Sequence, residues 1–282
     1  DKIDKIPKLT ININKWIYSE LLDANKKIEK NLKDYRFDEA AKNAYQFAWH
    51  SYCDWYLELS KTILFSDNEK AKAEVKKVSS YIFKQILILL HPFIPFVTEE
   101  IWLKNKFDKS GKNFLMLANW PSGIIKKDKN TKQVEKIIGI ISELRSFKNE
   151  LNVGPGSFIE MSINNIGKSQ KSFIIDNEII LKKLGRISNI HQDDIDKPAA
   201  TMMVSGDMFK IYFDKDVDLK LIKENLTNRQ NKYQVEMNKI LQRLNNKGFV
   251  DRAPKDIVQQ EKNNYNNLQK DIEKILLTIK GI

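Results

Sequence analysis

The sequence predicts a mostly α-helical protein, with an antiparallel helical bundle, a small α/β module and a C-terminal antiparallel coiled-coil hairpin. Three patterns support this fold class. Apolar residues recur every three or four positions through the first 106 residues, as on the buried face of an amphipathic helix. Short strand-like apolar runs follow the Gly-Pro-Gly turn at 154–156. Heptad-like spacing begins at Leu219. We place the three parts at 1–122, 123–216 and 217–282.

The first part is predicted to be a bundle of long helices joined by short connections, which favours antiparallel packing. We expect helices at 12–32, 39–65, 69–90 and 96–106, with the first burying Trp16 and its neighbours. The second helix carries one apolar stripe that we expect to be core. That stripe comprises Ala41, Tyr45, Ala48, Tyr52, Trp55, Leu59 and Ile63.

The second part combines helices with short strands. We expect helices at 131–151 and at about 176–184. The expected strands are 158–163, 187–191, 199–204 and 209–213.

The third part reads as two seamed helices joined by a loop at 245–254. The first arm has an imperfect apolar seam in which Arg229 fills one position. The second arm keeps strict steps of three and four. Each arm of about 25–28 residues would be about 40 Å long at 1.5 Å per residue.

Composition excludes several classes of protein. Hydrophobic residues make up 41% of the chain, enough for real cores. The single cysteine, Cys53, excludes a disulfide framework and a cysteine-based zinc site. We expect it to be a buried thiol in a reducing, cytoplasmic environment. No apolar run reaches 18 residues, so we expect no membrane partner. The opening DKIDKIPKLT has no initiator Met and indicates a fragment.

The positive charge is concentrated at the two ends of the chain. The net charge is +6 over residues 1–130 (23 basic, 17 acidic), 0 over 131–216 (12 and 12) and +5 over 217–282 (13 and 8). A polyanion that contacts both ends would explain this distribution. Codon bias and ordinary solvated helix faces are the alternatives.

No pattern of residues predicts catalysis in this chain. His50, His91 and His191 share no spacing that suits a metal site or a triad. The Gly-Lys-Ser string at 167–169 lacks the earlier glycine of a phosphate-binding loop, since position 162 is Ser. The lysine- and serine-rich run at 168–172 is interpreted as a coincidence. We therefore expect no catalytic residue, cofactor or metal in this chain.

The string LHPFIPFVTEEIW at 90–102 reads physically as a helix corner. Pro92 ends the preceding buried helix, and Pro95 suits the first turn of the next one. The string also resembles the signature of the anticodon-binding helical bundle in class I aminoacyl-tRNA synthetases of the valyl, leucyl and isoleucyl group.

Two further strings narrow the resemblance to the valyl-tRNA synthetases. YCDWYLE at 52–58 lies on the second bundle helix, as that family requires. NKGFVDRAPKDIV at 246–258, followed by Glu261, resembles the tip of the family's C-terminal coiled coil. Leucyl and isoleucyl enzymes do not end in this way. The resemblance covers essentially all 282 residues.

The resemblance implies the tRNA-binding C-terminal part of an enzyme that joins valine to tRNA with ATP and Mg²⁺. The HIGH and KMSKS elements and the editing domain are absent from this sequence. The implied partner is tRNA(Val), held by the bundle at the anticodon and by the coiled coil at the outer corner. DNA is not an implied partner, and we expect a monomer. The alternatives are a stand-alone helical RNA-binding protein and a coiled-coil scaffold whose positive charge is incidental.

The resemblance and the helical spacing together indicate candidate tRNA contacts. In the bundle, Tyr56, Leu57 and Lys61 lie off the predicted core stripe and could meet an anticodon base. At the coiled-coil tip the tRNA-corner candidates are Lys247, Arg252, Lys255 and Lys262. The family can place an arginine near position 264 of this chain. Asn264 stands there instead, which leaves Lys262, Lys255 or Arg252 as the candidates for that contact.

Overall fold

The structure is a computed structural model that describes residues 7–107, 114–122, 129–204, 206–213, 217–246, 248–249 and 253–282. The chain forms two compact units, residues 1–138 and 139–282, whose boundary falls inside the helix Lys129–Glu150. The expected mostly helical fold with a small sheet is confirmed. The finer division at 122/123 and 216/217 stays a prediction.

The first unit is built from helices at the predicted places. They are α1 (Asn12–Lys33), α2 (Phe37–Gln46), a π-helical segment (Phe47–Tyr56), α3 (Leu57–Leu64), α4 (Glu69–Leu90), α5 (Pro95–Lys104) and the first part of α6 (Lys129–Glu150), with a short 3₁₀ turn at Leu115–Leu117. The predicted helix at 39–65 is helical from Phe37 to Leu64, but its middle is π rather than α. The predicted core of α1 is confirmed, with Trp16 only 4% exposed.

The second unit contains a four-stranded mixed sheet. Its strands are β1 (Ile159–Ser162), β2 (Ile187–His191), β3 (Ala199–Val204) and β4 (Asp207–Phe213), in the order β2-β1-β4-β3. The crossover between the parallel strands β1 and β2 contains α7 (Lys168–Asp176) and α8 (Glu178–Gly185). Strand β4 is antiparallel to both of its neighbours. All four predicted strands are confirmed, two of them with their predicted bounds.

Ionic contacts hold the segment that follows β2 to the sheet. The Asp194 carboxylate accepts hydrogen bonds from Ser162 Oγ at 2.8 Å and Lys210 Nζ at 2.6 Å. On the neighbouring part of β1, Glu160 lies 2.8 Å from Lys197 Nζ and 2.6 Å from His191 Nε2. The bonds from Lys197 and then from His191 lower the pKa of the Glu160 carboxyl. His191 is thus held to the sheet by its contact with Glu160.

The C-terminal hairpin packs into the core of the second unit. Its helices are α9 (Leu219–Asn245) and α10 (Lys255–Gly281), and their bounds agree with the predicted break between the two arms. A buried cluster joins residues from the segment that follows α6, from the sheet and from both hairpin helices. Its members are Leu151, Val153, Ala200, Ile222, Leu226 and Ile275. The base of the hairpin and the sheet therefore share one hydrophobic core.

Candidate nucleic-acid interface

The string at 90–102 forms the predicted helix corner. Thr98 is 1% exposed, and its Oγ1 lies 2.8 Å from His91 Nδ1 while donating toward the Ile94 and Pro95 carbonyls. Glu99 accepts the backbone N–H of Leu115 at 3.0 Å. These bonds account for His91, Thr98 and Glu99 as parts of the fold.

The tryptophan that ends this string belongs to the core. Trp102 is 4% exposed and packs with Leu87, Ile88 and Leu115. The Lys84 ammonium lies 5.1 Å from the centre of its ring, within the range of a cation–π contact. The predicted core position of Trp55 is confirmed, since this residue is also 4% exposed.

The π-helical segment shifts the buried face of the second helix by one residue. Ala40, Ala44 and Phe47 are buried at α-helical steps, but the next buried residue is Tyr52, five positions on. A step of five is the repeat of π-helical hydrogen bonding. The prediction that Tyr45 belongs to the core is therefore wrong, since it is 60% exposed.

The same shift corrects the prediction for Tyr56, which is 0% exposed and cannot stack on a nucleotide base in this structure. Its hydroxyl donates to Asn14 Oδ1 at 2.8 Å, and Asn14 Nδ2 donates to Glu74 Oε1 at 2.9 Å. Burial raises the pKa of the Tyr56 hydroxyl well above its ordinary value. Tyr56 is a structural residue whose hydroxyl bonds across from the π segment to α1.

Glu74 completes this chain of hydrogen bonds by capping α1. Its Oε1 accepts the backbone N–H groups of Thr10 at 2.9 Å and Ile11 at 3.0 Å, and its Oε2 accepts the Thr10 hydroxyl. Burial alone would raise the pKa of the Glu74 carboxyl, but these hydrogen bonds outweigh it and the pKa is lowered. Because the N-cap residue Ile11 has no side-chain acceptor, α4 supplies the cap instead.

The exposed side of the same helix carries an aromatic pair that sequence reasoning missed. Tyr45 and Trp49 are 60% and 56% exposed, and their rings stack with centroids 6.3 Å apart and planes 4° apart. Leu57 is half-buried further along the helix. Lys61 is exposed and pairs with Glu58 at 2.5 Å. The roles of Leu57 and Lys61 at the anticodon stay predictions.

Cys53 lies on this exposed side as well. The expectation of a buried thiol is wrong, because the side chain is exposed and free. Cys53 lies off the buried face that Tyr52 and Trp55 occupy, so the helix turns its side chain toward solvent. The thiol is still partly desolvated, and this desolvation, followed by the charge of Asp54, raises its pKa.

The hairpin carries its lysines on the flanks of an apolar seam. The predicted seam is confirmed, with Ile222, Leu226 and Ile240 buried on α9 and Val258, Ile272 and Ile275 buried on α10. Arg229 occupies its predicted seam position, where its Nε donates to Tyr233 Oη at 2.9 Å. Two apolar stripes facing each other leave the flanking positions for polar residues.

A groove of about 680 Å³ runs along one flank of the hairpin, and we call it the arm groove. Its charged and amide side chains are Asn231, Lys232, Glu236, Lys239, Arg243, Glu261 and Asn264. Arg243 Nη1 lies 3.1 Å from the Glu261 carboxylate, so this arginine is already paired. Lys232 and Lys239 are exposed on α9 and face the same groove as Asn264.

The tRNA-corner candidates fall into two groups. Lys247 and Arg252 lie outside the described residues. Lys255 and Lys262 are exposed seven residues apart on α10, on one side of that helix. Lys232 and Lys239 were missed, although they too are seven residues apart and directly precede the seam positions Tyr233 and Ile240.

Two kinds of site have no counterpart in the described part of the chain. None of the helices there is both long and apolar enough to cross a lipid bilayer. No group of three or more His, Cys, Asp or Glu side chains among these residues is arranged to hold a metal ion.

The class of protein is defined by a sequence match that extends from the first unit to strand β1. A family model described as "Anticodon-binding domain of tRNA ligase" matches residues 14–163, more than half of the 282 residues. The chain belongs to this family. A second family model, described as "Valyl tRNA synthetase tRNA binding arm", matches residues 218–282. The predicted resemblance to tRNA synthetases is thus confirmed for the bundle, and the resemblance to the valyl enzymes is confirmed for the hairpin.

The similar proteins are valine–tRNA ligases. The chain is 74% identical over 281 residues to the valine–tRNA ligase of Pelagibacter ubique (strain HTCC1062), covering 100% of the chain and 32% of that protein. It is 31% identical over 280 residues to the valine–tRNA ligase of Bartonella quintana (strain Toulouse), covering 99% of the chain and 31% of that protein. The chain therefore spans about a third of the length of these curated relatives.

Proposed function

We propose that this chain is the tRNA-gripping C-terminal part of a valine–tRNA ligase, and that its partner is tRNA(Val). The bundle contacts the anticodon, and the hairpin contacts the outer corner of the tRNA, where the D and T loops meet. The observation that carries the proposal is the hairpin that matches a tRNA-binding arm. Its seam is apolar, and its exposed lysines lie on the flanks, where they can meet phosphates.

The charges of the hairpin favour RNA over an uncharged partner. Lys232 and Lys239 face the arm groove, and Lys255 and Lys262 lie on the other helix. Lysine contacts to phosphate release counterions, and each one adds to the salt dependence of binding without reading sequence. Such an arm would strengthen binding to any tRNA of the right shape. Selection for the valine tRNA must then come from elsewhere.

The stacked pair Tyr45 and Trp49 is a suitable surface for that selection. Unpaired RNA bases are bound by stacking on aromatic side chains and by contacts to their edges. More than half of each ring is exposed, and Leu57 and Lys61 follow on the same helix. We assign the anticodon contact to this exposed side of the second helix.

The chemistry of ligation is assigned to another part of the enzyme. Amino-acid activation with ATP and Mg²⁺ would require residues beyond the third of the relatives that this chain matches. We assign no catalytic role to any residue of this chain. The proposed setting is the cytoplasm, with the ligase acting as a monomer.

Fluorescence anisotropy with labelled tRNA(Val), measured at several salt concentrations, tests the proposal. The variant Lys232→Gln/Lys239→Gln should bind roughly 30-fold more weakly at about 0.15 M salt, and its salt slope should fall by about two. The matched control is Lys220→Gln/Lys223→Gln, with the same charge change at the base of α9. Substitutions are preferable to deletion of the hairpin, because Ile222, Leu226 and Ile275 belong to the core of the second unit.

The anticodon assignment needs its own variant in the same assay. Trp49→Ala should reduce the preference for tRNA(Val) over the same tRNA with an altered anticodon, since one stacked base is worth about 1–3 kcal/mol. The lysine variants should leave that preference unchanged. If both lysine pairs have equal effects, or if neither changes the salt slope, the role of the hairpin in tRNA binding is refuted.

A further inference from the structure

The second unit contains a pocket of about 600 Å³ that belongs to neither surface described above. It lies between the C-terminal half of α6, the loop that follows α6 and the end of α8. Three of the residues that line it are cationic: Arg145, Lys148 and Arg186. The lining contains no aspartate or glutamate among the described residues. We call it the basic pocket.

Lys148 forms the buried part of the basic pocket. It is 3% exposed, and its Nζ donates to the carbonyl oxygen of Ser157 at 2.5 Å and lies 3.5 Å from that of Pro155. A lysine ammonium has three N–H groups, and two of them are directed to these carbonyls. A buried cation is costly unless it is compensated, and neutral carbonyls compensate it only in part.

The two arginines lie at the mouth of the pocket. Both are exposed, and Arg145 Nη2 is 3.4 Å from the carbonyl oxygen of Leu184. The Arg186 guanidinium carbon lies 5.7 Å from the centre of the Phe158 ring, a cation–π distance that restricts its orientation. One planar guanidinium group can donate two parallel hydrogen bonds to two oxygens of a phosphate. Arginines at the mouth of the pocket are therefore suited to binding a phosphate.

The charges in the basic pocket act on one another. Burial, followed by the positive charges of Arg186 and Arg145, lowers the pKa of the Lys148 ammonium. The three cations are therefore close enough to repel, and the fold keeps them together. A negatively charged group placed among them would relieve that repulsion.

We propose that the basic pocket binds one phosphate group of the tRNA backbone, with Arg145 and Arg186 gripping its oxygens above Lys148. This inference rests on the proposed function, because tRNA is the polyanion that the chain would meet. The second unit would then hold tRNA at a point away from the arm groove. The contact is to the backbone, so it contributes affinity and orientation but no sequence preference.

Two substitutions test the pocket without disturbing its buried lysine. Arg186 has φ 55°, a left-handed conformation that asparagine adopts readily, so Arg186→Asn removes the charge with little backbone strain. Arg145→Gln removes the second charge. Lys168→Gln is the matched control, an exposed lysine of the same unit that does not line the pocket.

The assay is labelled tRNA(Val) binding by the 282-residue chain across a range of salt. Each arginine variant should weaken binding roughly fivefold at about 0.15 M salt and reduce the salt slope by about one, while Lys168→Gln stays within about twofold. If both arginine variants bind tRNA with the affinity and salt slope of the wild type, the basic pocket does not bind a tRNA phosphate. The proposed function would remain intact. Failure of the wild-type chain to bind tRNA would overturn both.

A second measurement separates RNA phosphate from a free anion. Thermal melts in inorganic phosphate are compared with melts in chloride at equal ionic strength. If phosphate raises the melting temperature of the wild type but not of Arg186→Asn, and tRNA binding is the same in both, the pocket is a site for a free anion. That result would refute the assignment to the RNA backbone.

Discussion

Removing one oxygen atom, in Tyr56→Phe, separates a structural role of this residue from a role in binding RNA. The ring is wholly buried, and its hydroxyl donates to Asn14 Oδ1 at 2.8 Å. Asn14 is itself 0% exposed, and its amide nitrogen donates to Glu74. The substitution therefore leaves a buried oxygen of Asn14 without its donor, and water cannot easily replace it.

The expected loss of stability follows from these contacts. A net hydrogen bond is worth about 0.5–1.5 kcal/mol, and a buried acceptor left unsatisfied costs about 1–3 kcal/mol. We expect Tyr56→Phe to lower the free energy of unfolding of the first unit by about 2 kcal/mol. For a unit of this size, that corresponds to a melting temperature lower by roughly 5–8 °C. The affinity for tRNA should stay within about twofold of wild type.

Tryptophan fluorescence is the suitable probe of unfolding. All five tryptophans lie at positions 16, 49, 55, 102 and 120, so their signal reports the first unit alone. The matched control is Tyr45→Phe, the same change on a ring that is 60% exposed, which should alter stability by less than about 0.5 kcal/mol. A Tyr56→Phe protein that melts like wild type but binds tRNA more weakly would refute the structural role.

Three further substitutions test other contacts. A Cβ at Gly281 would lie 2.1 Å from the Ala199 carbonyl oxygen, so Gly281→Ala should destabilise the second unit by about 1–3 kcal/mol in circular dichroism melts. Gly139→Ala meets nothing within 4 Å and should stabilise its helix by about 0.5–1 kcal/mol; equal effects of the two would contradict this account. Glu74→Gln should cost about 1 kcal/mol at pH 7. Because the pKa of Glu74 is lowered by folding, its contribution is present above the ordinary value of 4.5 and is lost as pH falls below it. The wild-type and Glu74→Gln melting temperatures should therefore converge in acid, and a constant difference down to about pH 3 would contradict the capping role.

The positions of most helices and strands could be predicted because their cause is local. The spacing of apolar residues gave α1, α4 and the seams of α9 and α10 with bounds close to those observed. The π segment could not be predicted in this way. Its effect is a single five-residue step between Phe47 and Tyr52, which an apolar pattern of threes and fours does not distinguish.

The candidate sites also differ in whether a local pattern in the sequence could predict them. Lys232 and Lys239 lie seven residues apart beside a seam, and that spacing was available in the sequence. The basic pocket was not, because Lys148 and Arg186 are 38 positions apart and meet only through the packing of α6 against the end of α8. Its chemistry depends on tertiary contacts that no local pattern encodes.

The shared core holds the hairpin at its base. Two helices of 27 residues, each about 40 Å long, are clamped at one end by packing against Ala200 and Leu151. A tilt of about 5° at the clamp would displace the far end by roughly 3–4 Å, about the length of a hydrogen bond. The rigidity of this packing therefore determines how precisely the far end of the hairpin is positioned. A change of side-chain volume at Ala200, which is 0% exposed, would shift lysines that Ala200 does not contact.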